Sequence, residues 1–141
     1  MAFNLLIVDD SSIIRSMIER TVRMSGVPLA SLFTAGNGAE ALEVLRGNWV
    51  DLVFADLNMP VMDGVSMIET MNADTTLCNV PVVVVSTEGS EAKLEKLYQK
   101  GMVAFLRKPF TPEMIRGAII QVLGQWDEDD YGTQELPADS F

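Results

Sequence analysis

The run Val80-Pro81-Val82-Val83-Val84-Val85-Ser86-Thr87 decides the fold. Four consecutive β-branched valines disfavour a helix and lack the alternation of a half-exposed strand, so they predict a central strand buried on both faces. Working outward, other apolar runs end in the same way, on a reactive polar group. Asn4 to Val8 is followed by Asp9 and Asp10, Asp51 to Ala55 by Asp56, and Ala104 to Arg107 by Lys108, while Val80 to Val85 leads into Ser86 and Thr87. A fifth strand is expected at Ser31 to Ala35. Helices are predicted at Ser12 to Met24, Ala39 to Arg46, Val65 to Asn72, Ser90 to Lys100 and Pro112 to Leu123. That alternation is the pattern of βαβ units, and it predicts an α/β fold with a doubly wound, five-stranded parallel sheet and five helices.

The helices carry their own signals. Ile13, Ile14, Met17, Ile18, Thr21 and Val22 form a stripe on the first, expected to face the sheet, and Met114, Ile115, Ala118, Ile119, Val122 and Leu123 form one on the last. Thr111-Pro112-Glu113 is a helix start, with a capping hydroxyl, a preset φ and an acid beside the positive end of the dipole. Gly26 and Gly101 stand at expected C-caps. The nine methionines read as packing residues.

Composition prunes the functions. The 141 residues, 48% of them hydrophobic, suit one domain with a real core. No apolar run is long enough to span a membrane and no signal peptide is evident, so the expected location is the cytoplasm. The single cysteine, Cys78, cannot form an internal disulfide, and the absence of histidine removes histidine-based triads and zinc sites. The net charge of −10 argues against nucleic-acid or anionic-membrane partners. Much of it sits in residues 126–141, which hold six acids and no base, leaving 14 acids against 10 bases in residues 1–125. The expected division is a domain over 1–125 and an acidic, mobile C-terminal tail over 126–141.

If the four runs are parallel, their carboxyl ends converge on one crevice. Placing Asp56 within about 5 Å of Asp9 and Asp10 costs on the order of 3 kcal/mol per like-charge contact at an effective dielectric near 20, an arrangement that calls for a cation. Oxygen donors alone suit Mg²⁺ better than Zn²⁺. Lys108 and the hydroxyl of Ser86 would neutralise a transferred phosphoryl group, and Pro109 biases Lys108 to an extended backbone. The set can bind a small hard cation and move a phosphoryl group to an aspartate.

With DD at 9–10, DLNMPVMDG at 56–64, VVVVSTE at 82–88 and FLRKPFTPE at 105–113, residues 3–124 resemble the receiver domains of two-component response regulators, most of all the single-domain, CheY-like members. The resemblance implies a flavodoxin-like sheet in strand order 2-1-3-4-5. It makes Asp56 the acceptor of phosphate from a sensor histidine kinase (CheA-like). It makes Asp10 a direct Mg²⁺ ligand, Asp9 a ligand acting mostly through water, and Asn58 a ligand through its backbone carbonyl. Ser86 and Lys108 would bind the phosphoryl group, and Ser86 and Phe105 would form the switch. Asn58, Thr87 and Glu88 fall where the lifetime of the phosphoryl group is tuned, and Pro109 follows a cis bond in the family. Phe105 and Ser86 stand where tyrosine and threonine are common, and Thr87 is larger than the usual alanine or glycine.

The implied function is a phosphorylation-driven binding switch rather than an enzyme acting on external substrates. Its output would be a protein target at the face of helix 4, strand 5 and helix 5, with the flagellar motor switch of a chemotaxis pathway as the leading candidate. A receiver working in a phosphorelay or regulating a kinase outside chemotaxis remains open, as does a receiver acting only as a scaffold. An aspartate-nucleophile phosphatase is the enzymatic rival, but it would want a second acid where this chain has Asn58. A nucleotide or flavin module would want a phosphate-binding loop after the first strand, where Asp9 and Asp10 stand instead.

Overall fold

The computed structural model describes residues 2–87 and 89–124; Glu88 and the tail expected at 126–141 lie outside the described residues. The chain runs β1 (Phe3–Val8), α1 (Ser12–Met24), β2 (Leu29–Ala35), α2 (Gly38–Gly47), β3 (Leu52–Ala55), α3 (Gly64–Ala73), β4 (Val82–Ser86), α4 (Glu91–Lys100), β5 (Met102–Arg107) and α5 (Pro112–Leu123). The strands form one parallel sheet in the order β2-β1-β3-β4-β5. Among the described residues, no helix is long and apolar enough to cross a membrane.

Successive strand residues point to opposite faces, and in the central strands both faces are buried. Leu6, Val8, Val53, Ala55, Val82 and Val84 pack into a core with residues of α2, α3 and α4, including Leu42, Met67, Ile68 and Leu97. Leu5, Ile7, Leu52, Phe54, Val83 and Val85 pack into the other, with Ile18 and Val22 of α1 and Ile115, Ala118 and Ile119 of α5. The four-valine run therefore feeds both cores, two residues to each. The edge strand β2 is buried throughout only at Ala35.

Element ends differ from expectation by up to two residues. β2 begins at Leu29 rather than Ser31, and β5 at Met102 rather than Ala104. β4 begins at Val82, because Pro81 has no N–H for the sheet, and it runs on through Ser86. The start of α5 is as expected, with the Thr111 hydroxyl accepting from the Met114 N–H at 3.2 Å. Gly26 and Gly101 close α1 and α4 at φ of 83° and 123°.

The stripe on α1 requires correction. Ile18 and Val22 are buried and Ile14 and Thr21 half-buried, but Ile13 is 71% and Met17 51% exposed. At about 100° per residue the six positions sweep roughly 180° of arc, more than the groove between the sheet and α5 can cover. Met24 lies on the same outward side as Ile13 and Met17 and is also exposed, so methionine does not serve only as packing in this chain.

The loop from β3 to α3 holds a strained residue. Met62 N–H bonds to the Pro60 carbonyl at 2.7 Å across Val61, which has a φ of 67° and is 85% exposed. A β-branched side chain is disfavoured there, and exposure gives it no packing to offset the strain. Val61→Asn is expected to stabilise the protein by about 1 kcal/mol, read as a higher midpoint in urea unfolding; an unchanged or lower midpoint would show that the turn is unstrained.

Candidate functional site

The order of the sheet reverses between β1 and β3, and the strand registers bring the polar groups together there. Val8 stands beside Ala55, so the next residues, Asp9 and Asp56, leave adjacent strands side by side. Ser86 pairs with Arg107 at the end of β4 and β5, which puts Lys108 one residue beyond. The backbone continues these pairings past the strands: Asp9 N–H reaches the Ala35 carbonyl at 3.1 Å, Asp56 N–H the Val8 carbonyl at 3.0 Å, and Lys108 N–H the Ser86 carbonyl at 3.0 Å.

Carboxylate oxygens of Asp9, Asp10 and Asp56 all lie within 4.8 Å of one another. The Lys108 ammonium lies 3.2 Å from Asp9 Oδ2 and 3.7 Å from Asp56 Oδ2. Asp9 is buried, Asp56 and Lys108 are partly buried, and Asp10 is exposed. Two backbone donors fix the carboxylates: Ser11 N–H to Asp9 Oδ1 at 2.9 Å and Leu57 N–H to Asp56 Oδ1 at 2.8 Å. Asp9 and Asp56 thus each have one oxygen tied to the chain and one turned toward Lys108.

Burial pushes the Asp56 carboxyl above its ordinary value. The Leu57 N–H and the Lys108 ammonium pull it back, and the charges of Asp9 and Asp10 push it up again. The donors are all oxygens, and the charge of Lys108 falls short of the three carboxylates. This chemistry fits a hard divalent cation such as Mg²⁺, with Asp9, Asp10 and Asp56 as the residues that could hold it.

Of the other residues singled out in the sequence, Ser86 is the buried last residue of β4, and Thr87 is exposed at the start of the following loop. Asn58 is exposed two residues after Asp56. Phe105 lies on β5, partly buried against the core on the α2, α3 and α4 side. The Lys108–Pro109 bond is cis. Glu88 lies outside the described residues.

Three supporting residues escaped the sequence reading. Arg15, one turn into α1, donates from Nη1 to the Asp9 carbonyl at 2.6 Å. Gly64 begins α3 so close to the strand that a Cβ there would collide with the Asp56 carbonyl oxygen, and its N–H bonds the Leu57 carbonyl at 2.8 Å. The DG pair at 63–64 read only as part of a motif. Arg107 grips the loop after β4, and nothing in its sequence position announces that.

Comparison with known proteins agrees with this geometry. Residues 5–120 match the response regulator receiver domain family. The chain is 33% identical over 124 residues to the chemotaxis protein CheY1 of Helicobacter pylori, covering 87% of this chain and 98% of that protein. It superposes on the chemotaxis response regulator CheY4 of Vibrio cholerae with a TM-score of 0.77 at 30% identity, covering 86% of this chain and 99% of that one. A CheY of Borrelia burgdorferi, solved as a CheX-CheY-BeF3-Mg complex, superposes with a TM-score of 0.75 at 28% identity, over 86% of this chain and 89% of that one.

Because the Asp56 carboxyl is raised, its charged form weakens folding at neutral pH in the absence of metal. Asp56→Asn is therefore expected to stabilise the metal-free protein at pH 7, chiefly because asparagine carries no charge to be taken out of water, by about 1 kcal/mol, the low end of what burying a polar group costs. The sign follows from linkage: a raised acid favours folding below its ordinary value and loses that contribution as pH rises through its folded value. The advantage of asparagine should vanish as pH falls below the ordinary carboxylate range. Urea unfolding in a chelator at both pH values measures it, and an advantage independent of pH would exclude a charge effect.

Proposed function

The chain belongs to the response regulator receiver family, and from that premise we propose that it is a single-domain response regulator whose Asp56 accepts a phosphoryl group from a sensor histidine kinase. The convergence of Asp9, Asp10 and Asp56, with the Lys108 ammonium against Asp9 and Asp56, carries this reading. In the proposed step, a carboxylate oxygen of Asp56 forms a bond to phosphorus while the bond from phosphorus to the donor imidazole nitrogen breaks. The leaving imidazole keeps the bonding electrons.

Asp56 is suited to the role by its fixed carboxylate, with Oδ1 held by the Leu57 N–H. Lys108, now shared between Asp9 and Asp56, would turn to an equatorial phosphoryl oxygen, and the Ser86 hydroxyl would donate to another. Asp9, Asp10 and Asp56, with the carbonyl of Asn58, would hold Mg²⁺. When bound, that ion would neutralise charge on the phosphoryl oxygens.

The added charge at Asp56 would be read through Ser86 and Phe105 by the face of α4, β5 and α5, where Tyr98 and Val103 are exposed. Relatives that are chemotaxis proteins support a motility pathway, with a kinase of the CheA kind upstream. The Borrelia relative, solved with CheX, supports an output that is a contact with another protein, for which the flagellar motor switch is our leading candidate. Residues 1–125 would carry the whole acceptor function, and Thr87, Glu88 and Asn58 would tune the phosphoryl lifetime.

Incubation with a small acyl-phosphate donor and Mg²⁺ should add one acid-stable, base-labile phosphate, seen by intact mass. Chelation or Asp56→Asn should abolish it, and labelling that survives Asp56→Asn would end the proposal. For lifetime, Thr87→Ala should speed loss of the phosphate about threefold, ~0.7 kcal/mol in the barrier, by opening the path for water. A decay rate that is unchanged or slower would refute crowding by Thr87.

A further inference from the structure

We propose that Arg107 is a positioning residue: it clamps the loop between β4 and α4 in the arrangement of the unphosphorylated protein and so sets how readily Asp56 is phosphorylated. The inference rests on the acceptor reading of Asp56 and adds a residue to it.

Arg107 pairs with Ser86 in the sheet, so its side chain leaves β5 where the loop leaves β4. Its guanidinium carries donors in a rigid fork and no acceptor. Nη1 donates to the Thr87 carbonyl at 3.2 Å and Nη2 to the Gly89 carbonyl at 2.9 Å. The same group lies over the ring of Phe105, two residues back along β5, with Cζ 5.6 Å from the ring centroid.

Gly89 completes the assembly. A Cβ there would come within 2.8 Å of Phe105 Cζ and 3.1 Å of Arg107 Nη2, so the bare glycine lets the backbone lie against both side chains without displacing them. Loop, ring and guanidinium are thereby packed as one unit. Lys108, the next residue, serves the carboxylates instead. Adjacent residues at the end of β5 thus hold the acceptor site and the loop that follows Ser86.

The Ser86 carbonyl is held to β5 by the Lys108 N–H at 3.0 Å, so on the acceptor reading an approach of the Ser86 hydroxyl to a phosphoryl group on Asp56 would involve the loop that begins at Thr87. The two bonds from Arg107 oppose that movement, and the Phe105 ring is held in the same contact. Loosening the clamp raises the fraction of molecules already in the competent arrangement, and the apparent phosphorylation rate rises with that fraction.

The test compares wild type, Arg107→Met and Arg107→Lys. Arg107→Met keeps an apolar stem and loses every donor, and Arg107→Lys keeps the charge and loses the fork. The initial rate of phosphorylation by acetyl phosphate with Mg²⁺ should rise about fivefold in Arg107→Met and by less in Arg107→Lys, as expected for losing exposed charge-assisted bonds. In the absence of phosphodonor, the ring resonances of labelled Phe105 should shift toward their positions in the beryllofluoride-bound wild type. A purely structural role would lower the unfolding midpoint without moving either readout. Unchanged or slower phosphorylation of Arg107→Met, or ring resonances identical to wild type, would overturn the clamp. If wild type takes up no phosphate at all, the acceptor reading fails, and the ring resonances without donor still decide whether Arg107 holds Phe105.

Discussion

Three crowded carboxylates, two of them against the Lys108 ammonium, are the constraint on which the rest of this structure turns. Asp9 is almost wholly buried, and a buried carboxylate is tolerable only with a partner of opposite charge and hydrogen bonds to its remaining lone pairs. Lys108 supplies the charge from the far side of β4, and the Ser11 N–H supplies a bond. The balance is still negative, because Asp10 and Asp56 lie within 4.8 Å of Asp9. What remains is a site whose own groups repel one another until a cation or a cationic side chain settles among them. That residual repulsion makes the place responsive: any ligand that changes its charge changes the preferred positions of Lys108 and of the loops around it.

The sheet is what makes the crowding possible. Asp9 and Asp56 follow paired residues of adjacent strands, and strand spacing of about 4.8 Å leaves their carboxylates no room to separate. Two packed cores hold those strands on both faces. Val61 adopts a backbone conformation that a β-branched residue disfavours, and Gly64 brings α3 up against the Asp56 carbonyl. Val61 lies in the loop from Asp56 to α3 and Gly64 is the first residue of that helix.

The central strands and the polar groups at their ends were legible because burial on both faces leaves uninterrupted apolar runs, and because each run stops at a residue too polar to continue it. Helix α5 was legible from Thr111-Pro112-Glu113. The outward face of α1 was not: Ile13 and Met17 lie on an apolar arc continuous with Ile18 and Val22, and periodicity marks the arc without marking its centre. The centre is set by how α1 seats between the sheet and α5, which only the tertiary structure specifies. The same reason hid Arg15 and Arg107. Each bonds to backbone carbonyls, and a carbonyl leaves no trace in the identity of its residue.

The end of β5 shows how a charge at one point can reach a surface some distance away. Phe105, Arg107 and Lys108 belong to one short stretch of chain whose backbone is fixed by pairing with β4. Lys108 faces the carboxylates, Arg107 the loop after Ser86, and the Phe105 ring lies between that loop and the core. With the backbone held, the freedom left to this stretch is in its side chains and in the loop they touch. A change of charge at Asp56 acts directly on Lys108, which lies 3.7 Å from its Oδ2. In the proposed clamp it would reach Phe105 by way of the loop that Arg107 grips, because Gly89 lies against the ring. Coupling of this kind needs no movement of the sheet, only two arrangements of one loop that differ little in free energy.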